Sequence, residues 1–433
     1  MSDSDTTPPN ANPAPDWRQL VQSFGRIGVL SFGGPAAQIA LMHKELVDRR
    51  GWLAEAQFLR GLSFCMLLPG PEAMQLATYA GWRLRGVPGG LLAGALFVLP
   101  GAFVIALLVA LYVVFGQLPL VQAGFLGIKA AVVVIVLQAL WRISAKALTT
   151  ARARIIAACG FLAIFAFNLP FPAVVLAAGL LGLLQRKAPD GLAPTDGTRP
   201  NPRRHWLTIL SWAALWLLPL LALQLWSSAF LAAIGWFFAK LAVGTFGGAY
   251  AVLAYMTQTV VSTHGWITTG EMIDALGLAE TTPGPLVLVT QFVAMLAGAH
   301  QGGVWLALAA GLVALWATFI PCFLWIFAAA PYVERLSHHP RLRGALDMIT
   351  AAVAGMMLNL SVWFLLHLLF QDHSLAGLGP LRLPIPAPGS LDLRAAGLTL
   401  CAPILAWLLR GRILWLLGAM ACLGLIADSF ALG

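Results

Sequence analysis

The chain has 433 residues, of which 60% are hydrophobic and 10% charged, with a formal net charge of +9. A soluble globular protein carries roughly 25% charged residues, and the mean hydropathy here is +0.84, so a soluble enzyme or binding module is excluded. The excess of Lys and Arg is what the cytoplasmic loops of an inner-membrane protein carry and does not call for nucleic acid.

Residues 1–16 are polar, contain Pro and Asp, and lack an apolar core of the signal-peptide kind. They read as a disordered tail. A first unit is expected over 17–185, a linker plus a linking span over 186–230, and a second unit over 231–433. The first unit contains a stretch, Phe32 to Pro71, that returns 214 residues later as Phe246 to Pro285 without a gap; thirteen of forty positions are identical. The identities include Phe32-Gly33-Gly34 with Phe246-Gly247-Gly248, Gly51-Trp52 with Gly265-Trp266, and Pro69-Gly70-Pro71 with Pro283-Gly284-Pro285. Gly and Pro set backbone geometry rather than fill a core, so one unusual backbone shape is expected twice.

Between these motifs the pieces are short. From Glu55 to Leu68 and from Glu72 to Arg85, each piece is long enough for roughly 21 Å of helix, less than the roughly 30 Å of a bilayer core. A re-entrant helical hairpin with Pro69-Gly70-Pro71 at its tip is expected, and the segment at Phe32-Gly33-Gly34-Pro35 reads as a broken helix. Apolar spans follow at about 87–115, 119–141, 153–168 and 170–185, then 206–226, 303–330, 344–370, 394–410 and 412–430. Pro100 and Pro321 are expected to kink corresponding spans. Loop 43–55 is basic, whereas 257–269 has no Lys or Arg. Opposite loop charge on two copies points to inverted repeats. The predicted fold class is therefore all-α and polytopic, with two inverted repeats and broken or re-entrant helices.

No phosphate-binding Gly-rich loop and no metal-ligand spacing is present, and His338-His339 reads as a solvated basic loop. No cofactor and no metal is expected. The five cysteines are scattered through apolar segments and read as small hydrophobes. The informative residues are polar groups in apolar stretches. Arg26 and Lys240 occupy equivalent places, six residues before Phe32 and Phe246. They either hold an anion beside the glycine breaks or snorkel to an interface. Lys129 is a weaker candidate, because its equivalent is Thr350. Glu72 and Glu280 flank the Pro-Gly-Pro turns; a carboxylate there carries a proton, or at Glu72 complements the helix dipole. Thr281 and Thr282 offer hydroxyls. With Gln75, Gly33, Gly34, Gly247, Gly248 and both Pro-Gly-Pro turns they make a candidate oxyanion cradle at helix N-termini.

Ser31-Phe32-Gly33-Gly34-Pro35, Gly51-Trp52, Leu67-Leu68-Pro69-Gly70-Pro71-Glu72-Ala73-Met74-Gln75-Leu76, Gly90-Leu91-Leu92-Ala93-Gly94 and Phe97-Val98-Leu99-Pro100-Gly101 together resemble the chromate ion transporter family in its long, two-domain form. The resemblance covers about residues 17–430. It departs in the second half, where Ala249 follows the glycines and Leu286 follows Pro285. It implies a secondary transporter that exports chromate across the bacterial inner membrane, confers resistance to it, and has no enzymatic activity. Its partners would be chromate, the lipid bilayer and a second copy of the chain as a homodimer. A carrier of sulfate or another tetrahedral oxyanion stays open, since such dianions demand the same donors. A channel is disfavoured by two broken-helix repeats. A membrane-embedded enzyme would need converging His, Asp or Glu residues, which the sequence does not supply.

Overall fold

The computed structural model describes residues 15–167, 169–184, 202–226, 229–246, 249–333, 340–370, 372–378, 381–410 and 412–431. The expected tail, apart from its last two residues, lies outside these, as do most of the linker, Gly247, Gly248 and His338-His339.

The described chain is helical apart from one short hairpin. Helix α1 runs Trp17–Leu30 and α2 Gly34–His43, the latter continuing as a π turn over Lys44–Arg49. Helix α3 spans Glu55–Cys65 and α4 Glu72–Phe115. Then come α5 Pro119–Ala147, α6 Ala151–Phe165, α7 Phe171–Leu183 and α8 Pro202–Trp226. Helix α9 (Ala229–Val243), α10 (Ala249–Thr257, with a π turn over Gln258–Thr263) and α11 (Thr269–Glu280) repeat the order of α1 to α3. Helix α12 (Val289–Ala329), α13 (Pro340–Leu369), α14 (Leu393–Leu408) and α15 (Ile413–Ala431) complete the chain. An antiparallel pair, β1 (His373–Leu378) and β2 (Leu381–Pro386), joins α13 to α14. The expectation of a purely α fold missed this hairpin, which lies in a Gly- and Pro-rich connection.

Five helical stretches among the described residues are long and apolar enough to cross a membrane: Glu72–Phe115, Pro119–Ala147, His205–Leu225, Leu286–Tyr332 and Arg341–Leu369. Large apolar side chains point outward, Trp305 being 84% exposed and Trp141 77%. Water would not tolerate such a surface, and lipid favours it. The chain is thus a polytopic membrane protein.

Two of the long helices double back on themselves. In α4 the dihedrals leave the helix at Arg85 (φ −143°, ψ 26°) and Gly86 (φ 64°, ψ −158°). In α12 they leave it in the same pattern at Gly302 (φ −159°, ψ 21°) and Gly303 (φ 72°, ψ −161°). Positive φ costs glycine nothing, so the chain reverses there. Small residues line the crease: a Cβ on Gly81 would lie 2.3 Å from the Gly89 carbonyl oxygen, and one on Gly298 2.7 Å from that of Leu306. At Pro100 and Pro321, the positions expected to kink these helices, the dihedrals stay helical, as a proline kink allows. Proline's φ suits a helix; what it removes is one N–H donor. At Pro321 the carbonyl four residues back, on Ala317, accepts instead from the Trp216 indole N–H at 3.1 Å.

The outer helices interlock across the two parts of the chain. Helix α13 packs on α6 and α7, and α5 on α14 and α15. Lipid supplies no hydrophobic drive for helix association, so close backbone approach at small residues takes its place. A Cβ on Gly127 of α5 would lie 1.8 Å from the Met420 carbonyl oxygen of α15, and one on Gly355 of α13 1.9 Å from that of Ala157 of α6. At the surface loop between α2 and α3, Glu45 bonds Arg49 at 3.1 Å and Arg50 at 3.0 Å. Burial opposes its charge, but the two guanidiniums outweigh it and hold the carboxyl below its ordinary range.

Gly127→Ala should therefore destabilise the protein in detergent by about 1–3 kcal/mol, read as a lower melting temperature. Gly124→Ala, one turn away with nothing within 4 Å of its added Cβ, should be neutral or slightly stabilising.

Candidate functional site

The centre is built from the two sequence motifs, and each turn meets the break of the other half. Helix α1 stops after Leu30 because Gly33 (φ 86°) and Gly34 (φ 80°) are left-handed. Pro35 then sits in the first turn of α2, where a missing N–H costs little. The second break follows Val243; its Gly247 and Gly248 lie outside the described residues. Before each break a hydroxyl donates back one helical turn, Ser31 Oγ to the Ile27 carbonyl and Thr245 Oγ1 to that of Leu241. The main-chain carbonyls of the same two residues are thereby presented to the turns. The Gly70 N–H donates to the Thr245 carbonyl at 2.8 Å, and the Gly284 N–H to the Ser31 carbonyl at 2.9 Å.

Side chains reinforce this cross-connection. Gln38, 1% exposed, donates through Nε2 to the Gly284 carbonyl at 2.6 Å and the Ser31 carbonyl at 3.2 Å. Gln75 Nε2 donates to the Pro69 carbonyl at 2.6 Å, within its own turn. Gly70 has φ 125° and Gly284 φ 89°, which exclude ordinary side chains. A Cβ on Gly70 would meet Cys322 Sγ of α12, and one on Gly284 the Phe97 carbonyl of α4. Each turn therefore docks on a proline-bearing helix from the other half. Gly70, Pro71, Pro283, Gly284 and Pro285 are buried and Pro69 is half-buried. This is where irregular backbone must sit if it is not to face lipid.

Helix N-termini meet at these turns. Helix α4 starts at Glu72, directly after Pro71, and α2 starts after Gly33, neither with a side-chain cap. Their first-turn N–H groups are the kind that receive an anion. Glu72 is half-buried at the α4 start, and Glu280 is buried at the α11 end. The Thr281 and Thr282 hydroxyls donate to the Leu278 and Ala279 carbonyls at 2.7 and 2.8 Å. In this state they close α11 and have no hydroxyl proton to offer an anion.

Arg26 and Lys240 stand on exposed faces of α1 and α9. Lys240 lines an apolar cavity of about 520 Å³ with Trp216, Trp236, Phe246 and Tyr255. The structure joins Gln75 to its own turn and each turn to the opposite break; it leaves Arg26 and Lys240 on exposed helix faces.

A buried ionic group escaped the sequence reading. Asp274 of α11, 4% exposed, accepts through Oδ2 from the Tyr112 hydroxyl at 2.9 Å and lies 3.4 Å from Lys129 Nζ. Three helices, α4, α5 and α11, meet there. Asp274 matches Arg60 across the repeat, so a search for residues alike in both copies passes over it. Its signal is an acid in an apolar stretch two helical turns before a Pro-Gly-Pro.

Gln38→Leu should cost about 1–3 kcal/mol, because it strips a donor from two buried carbonyls. Thermal unfolding of the purified protein in detergent measures it. An unchanged melting temperature would mean that the bridge is incidental.

The model of the chromate transporter family matches residues 18–183 and 232–425. The chain is similar to a "Probable chromate transport protein" of Synechococcus elongatus, 30% identical over 82% of this chain and 86% of the relative. It is also similar to the chromate transport proteins of Cupriavidus metallidurans, at 32% over 78% of this chain and 80% of that one, and of Pseudomonas aeruginosa, at 32% over 82% of each. No solved structure matches the chain. The glycine breaks and Pro-Gly-Pro turns, and a family match that covers both copies of them, make this chain a member of the chromate transporter family.

Proposed function

We propose that the protein is a secondary active transporter that exports chromate from the cytoplasm across the bacterial inner membrane and so confers resistance to it. The observation that carries this reading is the crossed pair of Pro-Gly-Pro turns, buried, hydrogen-bonded to the opposite breaks and flanked by uncapped helix N-termini. Backbone N–H groups at such ends suit a tetrahedral dianion. The names of the relatives support chromate as that dianion. Export down an inside-negative potential is favoured by about 4.6 kcal/mol per 100 mV for two charges.

In this reading the two halves are inverted repeats, and loop 43–55 faces the cytoplasm while loop 257–269 faces the periplasm. Gly33, Gly34, Gly247, Gly248, Gln75 and the two turns form the anion path, with Glu72 and Glu280 beside it; Thr281 and Thr282 join it when their hydroxyls leave the Leu278 and Ala279 carbonyls. The opposite charge of the two loops supports the inversion, and the matched reversals at Gly86 and Gly303 support the repeat. Arg26 and Lys240, exposed beside the breaks, draw the dianion to the rim. Arg grips two oxygens where Lys acts as a point charge.

Radiolabelled chromate and sulfate uptake into everted vesicles tests the substrate. Chromate should be taken up faster, and preferential sulfate uptake would reassign the carrier to that anion. In the same assay Arg26→Gln should lose more flux than Lys240→Gln, with Arg26→Lys restoring part of it. Wild-type affinity and rate in both glutamine variants would remove the two cations from the mechanism.

Topology is tested with single cysteines, Ala54→Cys and Ser262→Cys, in a background without the native cysteines. An impermeant maleimide should label them from opposite sides of the membrane. Labelling from one side would end the inverted reading.

A further inference from the structure

No atom of Asp274, Tyr112 or Lys129 is among the nearest neighbours of a Cβ placed on Gly70 or Gly284, and the anion path makes no use of this group. Its geometry is lopsided. Tyr112 Oη and Lys129 Nζ both engage Oδ2, while Oδ1 is buried with no hydrogen-bond partner among the described residues. An unmatched buried oxygen on a carboxylate costs free energy. A proton on Oδ1 removes the carboxylate's charge, at the expense of leaving the Lys129 ammonium without its counter-ion. Each state leaves one buried group unmatched, so neither protonation state is locked in by its partners.

The site also has a route to the surface. One turn before Asp274 on α11 lies Glu271, which is 11% exposed at its side chain and 3.2 Å from His300 Nε2 of α12. The His300 side chain is 44% exposed. The charged and titratable groups around Asp274 are thus Tyr112 from α4, Lys129 from α5, Glu271 on its own helix, and His300 from α12 behind Glu271. They run from an exposed imidazole to a buried carboxylate.

We propose that Asp274 is the proton-binding site of this transporter, taking up a proton through His300 and Glu271 and exchanging it for the outward-moving anion. This rests on the transport reading and on the topology given above, which puts the start of α11 at the periplasmic face. With Asp274 ionised, its bond to Lys129 and Tyr112 ties α11 to α5 and α4. When a proton joins Oδ1, an O–H bond forms and the charge attraction to Lys129 is lost, which loosens the tie of α11 to α5 while Oδ2 still accepts from Tyr112. Helix α11 leads directly into Pro283-Gly284-Pro285, whose Gly284 N–H holds the opposite break. Proton uptake from outside is thereby linked to movement of the turn, and the proton leaves Oδ1 on the cytoplasmic side when the ion pair re-forms. No group other than the proton changes hands.

The test uses the full-length protein in liposomes with a trapped pH dye, at mildly alkaline pH so that chromate itself carries no proton. Wild-type chromate flux should be accompanied by proton flux in the opposite direction. Asp274→Asn alone would strand the Lys129 charge, so Lys129→Gln/Asp274→Asn is the principal variant. It should keep chromate–chromate exchange while its chromate-driven proton flux falls to the leak of empty liposomes. Asp274→Glu should keep the proton flux at a reduced rate. A doubly neutral variant with the wild-type ratio of protons to chromate would overturn the proposal, as would one that loses exchange together with proton flux. Wild-type anion flux without proton flux overturns this inference alone. Wild-type protein that moves neither chromate nor sulfate overturns the transport reading beneath it.

Discussion

Two backbone hydrogen bonds organise this molecule: Gly70 N–H to the Thr245 carbonyl and Gly284 N–H to the Ser31 carbonyl. A broken helix in a bilayer leaves carbonyls and N–H groups that neither lipid nor water will satisfy. Each break is met by the turn from the other half, so each half supplies what the other lacks. The hydroxyls of Ser31 and Thr245 turn back onto their own helices, which leaves their main-chain carbonyls to the turns. Neither half could bury its break alone.

The outer helices carry the same reciprocity. Helix α5 finds its close contacts on α14 and α15, and α13 finds its own on α6 and α7. Glycine at Gly127, Gly355, Gly182 and Gly424 lets backbone meet backbone, and dispersion over that contact replaces the hydrophobic drive that lipid removes. Irregular backbone sits at the middle and close-packed regular helix surrounds it. That division lets the turns be irregular and without side-chain caps while the surrounding helices hold the fold.

The two copies of the motif are alike in backbone and unlike in charge. Gly33 and Gly34, Gly70 and Gly284, and Gly86 and Gly303 all take positive φ. The side chains diverge: Asp274 stands where the first copy has Arg60, and Lys129 where the second has Thr350. The shared residues build like turns and breaks, and the differences put a buried ion pair between α5 and α11.

Much of this was legible in the sequence because lipid is a severe solvent. Apolar length determined the spans, and Gly and Pro determined the breaks and turns, since few other residues adopt those backbones and none needs a partner to do so. The short connection that became β1 and β2 depended on local pairing that composition does not encode, whereas the reversals at Gly86 and Gly303 fall at the span boundaries read near 87 and 303. The candidate site divided in the same way. The Pro-Gly-Pro turns and Gln75 were readable as motifs. The exposed position of Arg26 and Lys240, the engagement of the Thr281 and Thr282 hydroxyls, and the meeting of Tyr112, Lys129 and Asp274 were not. Backbone shape is a property of single residues and so belongs to the sequence. Which turn meets which break, and which charges meet at all, depends on residues more than a hundred positions apart, and only the folded chain decides it.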